Sequence, residues 1–325
     1  MPEALRQHIL ILSAGRRVSL LRGFKEASRG KRQVFAADMA PHLSAACQCA
    51  DAHFTLPPVT AKTYPEALSA LCRAEKIGLV IPTIDTELPV LATLRTQFAK
   101  EGTEIVVSDE TLIAACADKR CTGALFDQHQ LPVPKVFTLE NLCFPALVKP
   151  YDGALSKGLK LLKSRDDLTQ EIRDNPKNMY CEYIDHATHQ EFTLDLYYDQ
   201  YSTLKCVVPR RRLEVRGGEV AKAVAEKNEL VALLFNRLGT LKGARGCLTL
   251  QLFRHHSTHA IWAIEINPRF GGGYPLSRHA GVDFQRWLIA EYLEGKSIER
   301  FENWQDQTMM LRYDAEVIVN ANQGI

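Results

Sequence analysis

Short apolar runs alternate with amphipathic stretches over the first hundred residues. Residues 8–12 (HILIL) form an uninterrupted apolar strand, stopped by Ser13-Ala14-Gly15. Residues 18–27 then place Leu20, Leu21 and Phe24 at helical spacing. Further strands are predicted over 33–37, 78–83 and 104–107, with helices over 86–98 and, capped by Ser108, 109–117. Strands separated by helices at this interval imply a parallel, doubly wound sheet, whose ligands sit beyond the carboxyl ends of the strands. That expectation gathers Gly15, Arg16, Arg17, Asp38 and Asp85 at one crevice.

From about residue 113 the texture changes. A helix over 119–130 leads to an extended Leu131-Pro132-Val133-Pro134 entry. Strands over 145–150 and 159–163 flank the loop YDGALSKG, and a helix over 166–173 precedes a strand over 178–184. Beyond it, strands over 191–198, 201–208, 246–253 and 260–266 follow with few helices between them, which predicts an antiparallel sheet and an α+β unit. Helices are expected over 227–238 and 282–293. The fold class is therefore α/β followed by α+β.

Composition narrows the function classes. The 325 residues are 46% hydrophobic and 24% charged, ordinary for a globular chain of about two domains. Forty basic against 38 acidic side chains give a net charge of +2, which argues against nucleic acid as a partner. No apolar run approaches the ~18 residues a membrane span needs, and the first apolar stretch is too short for a signal peptide. With nine cysteines in no paired spacing, a reducing cytoplasm is expected. Cys47 and Cys49 read as structural thiols, and His255, His256 and His259 as a hairpin turn.

The sharpest chemistry is Gln251 together with Glu265-Ile266-Asn267-Pro268-Arg269. Alternate strand residues share a face, so Glu265, Asn267 and Arg269 are expected side by side, with Gln251 opposite on the preceding strand. Oxygen ligands beside a guanidinium suit Mg²⁺ shared with phosphate. Lys149, followed by Gly153, Ser156 and Gly158, has the composition of a strand and flap that closes over phosphates. S-A-G-R-R after the first strand is not a dinucleotide fingerprint, so nicotinamide and flavin are not expected. Arg210, Arg211, Arg212 and Arg216 would suit an anionic substrate.

These pieces together resemble the ATP-grasp superfamily. The V-K-P strand, C-E-Y-I and Q-L-F…I-E-I-N-P-R are similar to the carbamoyl phosphate synthetase large-subunit branch, and S-A-G-R-R with N-P-R-F-G-G-G-Y-P to a stand-alone, single-grasp group related to it. The resemblance implies a Rossmann-like pre-ATP-grasp domain (1–112), a small lid subdomain (113–187) and a catalytic subdomain (188–325). It implies ATP phosphates at Lys119 and Lys149 under a flap containing Ser156, Lys157 and Gly158. Adenine falls to Glu182, Tyr183 and Ile184, and ribose to Glu191. Gln251, Glu265 and Asn267 become ligands of two Mg²⁺ ions, with Mn²⁺ as an alternative metal. Arg269 would steady the γ-phosphate, with Lys149 and Arg216 also in the catalytic set.

The activity implied is that of an ATP-dependent carboxylate–amine ligase acting through an acyl phosphate. Small-molecule acid and amine would contact Arg16, Arg17, Asp85, Arg210, Arg212, Arg216 and Glu219. Arg216 takes the place of the branch's histidine, which puts bicarbonate activation and carbamoyl phosphate synthesis in doubt. A non-catalytic ATP-binding regulator and a carboxylase-type enzyme are the alternatives. Many relatives dimerise, which makes a homodimer a further implication of the resemblance.

Overall fold

The computed structural model describes residues 7–153 and 158–320. Strands β1 (His8–Leu12), β2 (Val34–Asp38), β3 (His53–Thr55), β4 (Ile77–Ile81) and β5 (Glu104–Ile105) form a parallel sheet in the order β3-β2-β1-β4-β5. Its central strands are apolar throughout because helices cover both faces. These helices are α1 (Val18–Ser28), α2 (Ala45–Cys49), α3 (Tyr64–Ala74), α4 (Leu88–Lys100) and α5 (Glu110–Ala117). The strand order reverses between β1 and β4, so a crevice opens beyond their carboxyl ends.

The sequence expectation for α5 needs one correction. Its N-cap is Asp109, whose carboxylate accepts from Leu112 N, and not Ser108. Ser108 Oγ instead accepts from Arg245 N, tying this corner to the far sheet.

Helix α6 (Lys119–Gln128) leads into a small lobe of four strands: β6 (Val136–Phe137), β7 (Ala146–Pro150), β8 (Lys160–Leu162) and β9 (Asn178–Glu182), ordered β6-β9-β7-β8. The helix expected over 166–173 is divided. A 3₁₀ turn at Arg165–Asp167, closed by a Ser164–Asp167 capping box, is followed by α7 (Gln170–Asp174).

The large lobe is a six-stranded antiparallel sheet ordered β14-β13-β10-β11-β12-β15. Its strands are β10 (His189–Tyr198), β11 (Leu204–Arg216), β12 (Glu219–Ala225), β13 (Gly246–His255), β14 (Ile261–Asn267) and β15 (Met309–Leu311). Helices α8 (Glu229–Leu238), α9 (Tyr274–His279) and α10 (Phe284–Leu288) complete it, and α10 runs on into a π turn over Ile289–Leu293. A single helix over 282–293 is thus replaced by two geometries. Gly217 and Gly218, at φ of 57° and 80°, make the two-residue turn between β11 and β12, a conformation that side chains disfavour.

One core joins the N-terminal domain to the large lobe. Ile9, Ile11, Leu21 and Phe24 belong to the same buried cluster as Leu250, Phe270, Phe284 and Leu288. The small lobe has its own cluster of Val148, Leu162, Leu168, Ile172 and Tyr180.

Candidate active site

Lys119 opens α6, whose N-cap is Asp118. This helix packs on β14 through the shared core, and so carries the Lys119 ammonium to 3.9 Å from Glu265 Oε2. The ammonium also donates to Gly153 O, in the loop after β7, while Lys119 N donates to Tyr151 O at 2.9 Å. Burial holds the Lys119 pKa below its ordinary value; Glu265 opposes this and the nearby Lys149 adds to it. Lys149 itself lies on β7 opposite Met179 of β9.

Gln251 and Glu265 face each other across β13 and β14. With the Gln251 amide oriented by its surroundings, its nitrogen donates to Glu265 Oε1 at 2.9 Å and its oxygen accepts from Arg212 Nη1 at 3.0 Å. Asn267 Nδ2 donates to the same Glu265 Oε1 at 3.0 Å, and Arg269 Nη2 donates to Asn267 Oδ1 at 3.3 Å. Two amides thus connect one carboxylate to two arginines. Arg269 Nη2 also reaches Asp85 Oδ2 at 2.6 Å, so the N-terminal domain contributes directly to this cluster.

The oxygen donors suit a hard cation that takes few ligands from protein and the rest from water and phosphate. The Nε of Arg269 is buried without a hydrogen-bond partner among the described residues. Among the described residues, no group of three His, Cys, Asp or Glu side chains forms a self-sufficient metal site. Glu265, Asn267 and Gln251 would therefore hold Mg²⁺ together with nucleotide phosphates.

The remaining predicted residues divide. Glu182 ends β9, and its Oε2 accepts from Lys135 N at 3.1 Å. Tyr183 and the buried Ile184 follow it. Glu191 is engaged by Arg212, and the two side chains line a cleft of about 350 Å³ with His186, His189 and Arg211. Ser156 and Lys157 lie outside the described residues, and Gly158 just beyond them has φ of 75°.

Arg210 requires a correction, because it does not line the crevice. It is fully buried, with Nη2 2.8 Å from Asp195 Oδ1 and Nε 2.8 Å from Oδ2. Thr193 is its cross-strand partner, and Asp195 lies two residues along β10, a diagonal neighbour. Arg216 is exposed and pairs with Glu214 at 3.5 Å, while its Nη2 donates to Arg312 O. The histidines fall at the β13–β14 turn, with His259 Nδ1 3.2 Å from Glu229.

Arg16 meets Glu219 at 2.9 Å, and the partly buried Arg17 donates to Thr83 O at 3.4 Å. Burial lowers the Arg17 pKa, as do Arg269 and Arg312, against Glu219 and Asp85. Burial alone would raise the Glu219 carboxyl, but Arg16, Arg312 and Arg17 bring it below its ordinary value. Asp38 holds the loop before α1 in place by accepting from Gly15 N at 3.0 Å.

Two participants escaped the sequence reading. Arg312, just past β15, donates to Glu219 Oε2 at 2.9 Å and to Gly272 O. It lies in a segment without motif or periodicity, and only the pairing of β15 with β12 brings it to the crevice. The second is Glu87, buried beside the β1 and β4 loops, whose carboxyl burial pushes up to about 7. Its position two residues after Asp85 was the available signal.

Residues 9–106 match the family described as the PylC-like N-terminal domain. Residues 175–314 match the family described as ATP-grasp in the biosynthetic pathway with Ter operon. No curated protein matches the sequence. Among solved structures, Rhizobium etli pyruvate carboxylase superposes with a TM-score of 0.70 at 14% identity, over 89% of this chain and 30% of that one. The chain thus spans less than a third of that enzyme's length. Campylobacter jejuni biotin carboxylase superposes with a TM-score of 0.70 at 14% identity, over 94% of this chain and 75% of that one. Bacillus licheniformis L-amino acid ligase gives 0.67 at 17% identity, over 89% and 74%. A parallel N-terminal sheet followed by two antiparallel lobes is the ATP-grasp fold of these structures, and the two family matches fall on the first sheet and on the large lobe with the end of the small one.

Proposed function

We infer that the protein is an ATP- and Mg²⁺-dependent carboxylate–amine ligase that works through an acyl phosphate. The observation that carries this reading is the convergence of Lys119, Gln251, Glu265, Asn267 and Arg269 at the end of β14, with Asp85 closing it from the N-terminal domain. These groups come from four separated segments, and each is by its chemistry able to bind phosphate, a metal ion or a cationic partner of these.

A carboxylate is a weak electrophile and its oxygen a poor leaving group. The substrate carboxylate attacks the γ-phosphorus of ATP, the bond to the β-bridging oxygen breaks, and ADP leaves. An amine then attacks the acyl carbon, and amide, inorganic phosphate and a proton are released. Phosphoryl transfer asks chiefly for alignment and charge neutralisation. Lys119 and Lys149 would hold the phosphate chain, Glu265 and Asn267 would orient the metal, and Arg269 would meet the transferring group. Bound Mg²⁺ would supply Lewis-acid neutralisation of the phosphate oxygens. The Glu182–Ile184 connection would seat adenine between the two lobes, with Glu191 at the ribose.

The substrates are small molecules in this reading. The Arg216 departure from the histidine of the synthetase branch argues against bicarbonate, which favours a ligase over a carboxylase. Glu265→Gln keeps the size and the hydrogen bonds of the side chain while removing the anionic ligand. It is expected to lower substrate-dependent ADP release at least a hundredfold, with the thermal midpoint near that of the wild type. Coupled-enzyme detection of ADP against pooled acids and amines checks this, and near-normal turnover of the variant would sink the assignment.

A further inference from the structure

Four guanidinium groups meet the crevice between the parallel sheet and the large lobe, facing two carboxylates. Arg16 and Arg312 share Glu219, and Arg269 takes Asp85. Arg17 is left over. Among the described residues no carboxylate lies within ion-pair distance of it, and its bond to Thr83 O is a long 3.4 Å. It also occupies the N-cap of α1, a helix of 11 residues with no acidic side chain in its first turn. A cation at the positive end of a helix, partly desolvated and close to two further arginines, is unfavourable in the absence of an anion.

The space beside it is also kept open. A Cβ at Gly272 would stand 3.3 Å from Glu219 Oε2 and 3.7 Å from Arg17 Nη1, so any side chain there would enter the gap between the two. The φ of Gly272 is not in the left-handed region, so the backbone alone does not require glycine. Arg312 borders the same gap through its bond to Gly272 O.

We propose that the acid substrate carries a second anionic group, carboxylate or phosphoryl, bound between Arg17 and Arg312 above Gly272, while its reacting carboxylate lies at Arg269. This rests on the ligase reading for the role of Arg269, but not for the anion site itself. A monoanionic acid would leave Arg17 uncompensated, whereas a dianion satisfies both ends. Guanidinium forks match the two oxygens of either group.

The test is calorimetric titration of the full chain without ATP, at constant ionic strength, with acetate, succinate and glycolate 2-phosphate. At least one dianion is expected to bind ten or more times tighter than acetate. Which dianion gains separates a carboxylate from a phosphoryl group. Arg17→Gln should collapse the dianion-to-acetate ratio at least fivefold. Arg22→Gln, which removes the same charge from the exposed face of α1, should preserve it. Equal binding of all three probes, no measurable binding of any, or a ratio indifferent to Arg17→Gln would overturn the proposal. If Arg17→Gln does not fold, Arg312→Gln reads the same ratio from a position outside the core. Because no nucleotide is present, the result stands apart from the Glu265→Gln assay: either can fail while the other succeeds.

Discussion

Three successive arginines on β11 end in three different places, and only one is in the core. Arg210 is held by Asp195, which also accepts from Ser277 Oγ at 2.6 Å, and Arg211 and Arg212 pair with Glu226 and Glu191. A Cβ at Gly273 would fall 1.9 Å from Arg210 Nη1, so the glycine run after Arg269 makes room for this guanidinium. Removing one partner of a buried pair leaves the other charge uncompensated. Arg210→Met is expected to cost about 3–5 kcal/mol, whereas Arg216→Met, at an exposed pair, should stay within about 0.5 kcal/mol. Urea denaturation of both variants measures the difference. In sequence the arginines look alike; the signal for Arg210 was the lone aspartate within the apolar run TLDLYY, whose partner only the strand register reveals. Glu265 and Asn267 were legible because alternation along β14 places them on one face, with Gln251 opposite on β13 and Arg269 two residues past the strand.

At the scale of elements, Glu87 joins the two loops that define the N-terminal crevice. Its carboxylate accepts from Thr83 N at 2.7 Å and Ile84 N at 3.2 Å after β4, and from Ser13 Oγ at 2.8 Å after β1. Burial outweighs these bonds and raises the carboxyl from its ordinary 4.5 to about 7. Between those values the folded state holds a proton that the unfolded chain releases. Its contribution to stability is therefore fully present below pH 4.5 and is lost as pH rises through 7, by on the order of 3 kcal/mol. Glu87→Gln should flatten this slope, so that its thermal midpoint falls less than that of the wild type between pH 5 and pH 8. Melting curves at the two pH values decide it, and parallel losses would contradict the assignment. The apolar strands β1 and β4 were readable because burial on both faces leaves an unbroken run. β12 and β15 were not: the first is rich in alanine, and the second is three residues that form a strand only by adding to an edge.

For the whole molecule, the partition of the core matters more than the number of lobes. The N-terminal sheet and the large lobe share one buried cluster, whereas the small lobe has a cluster of five buried side chains of its own. A small separate core gives low local stability. Amide hydrogen exchange followed by mass spectrometry should show strands β7–β9 exchanging well before β10 and β13. Equal protection of the two sheets would mean that the lobes open together. The sequence announced two architectures through its change of texture near residue 113, but not that the first and third parts fuse. That fusion depends on side chains such as Phe24 and Phe270, whose rings meet edge to face at 6.2 Å across more than two hundred residues of chain.

The bond from the Lys119 ammonium to Gly153 O belongs to both of these bodies. Lys119 rides on α6, anchored to the large lobe, while Gly153 belongs to the small one. If Lys119 holds the phosphate chain as proposed, one cation cannot serve it and the loop carbonyl equally, and an arriving nucleotide would have to win it from Gly153. Filling the site and unlatching the loop would then be a single exchange of partners, and the nucleotide's apparent affinity would be lower than its intrinsic one by the fraction of time the latch is shut. Weakening the latch would make the protein hold nucleotide more tightly without adding a contact to it.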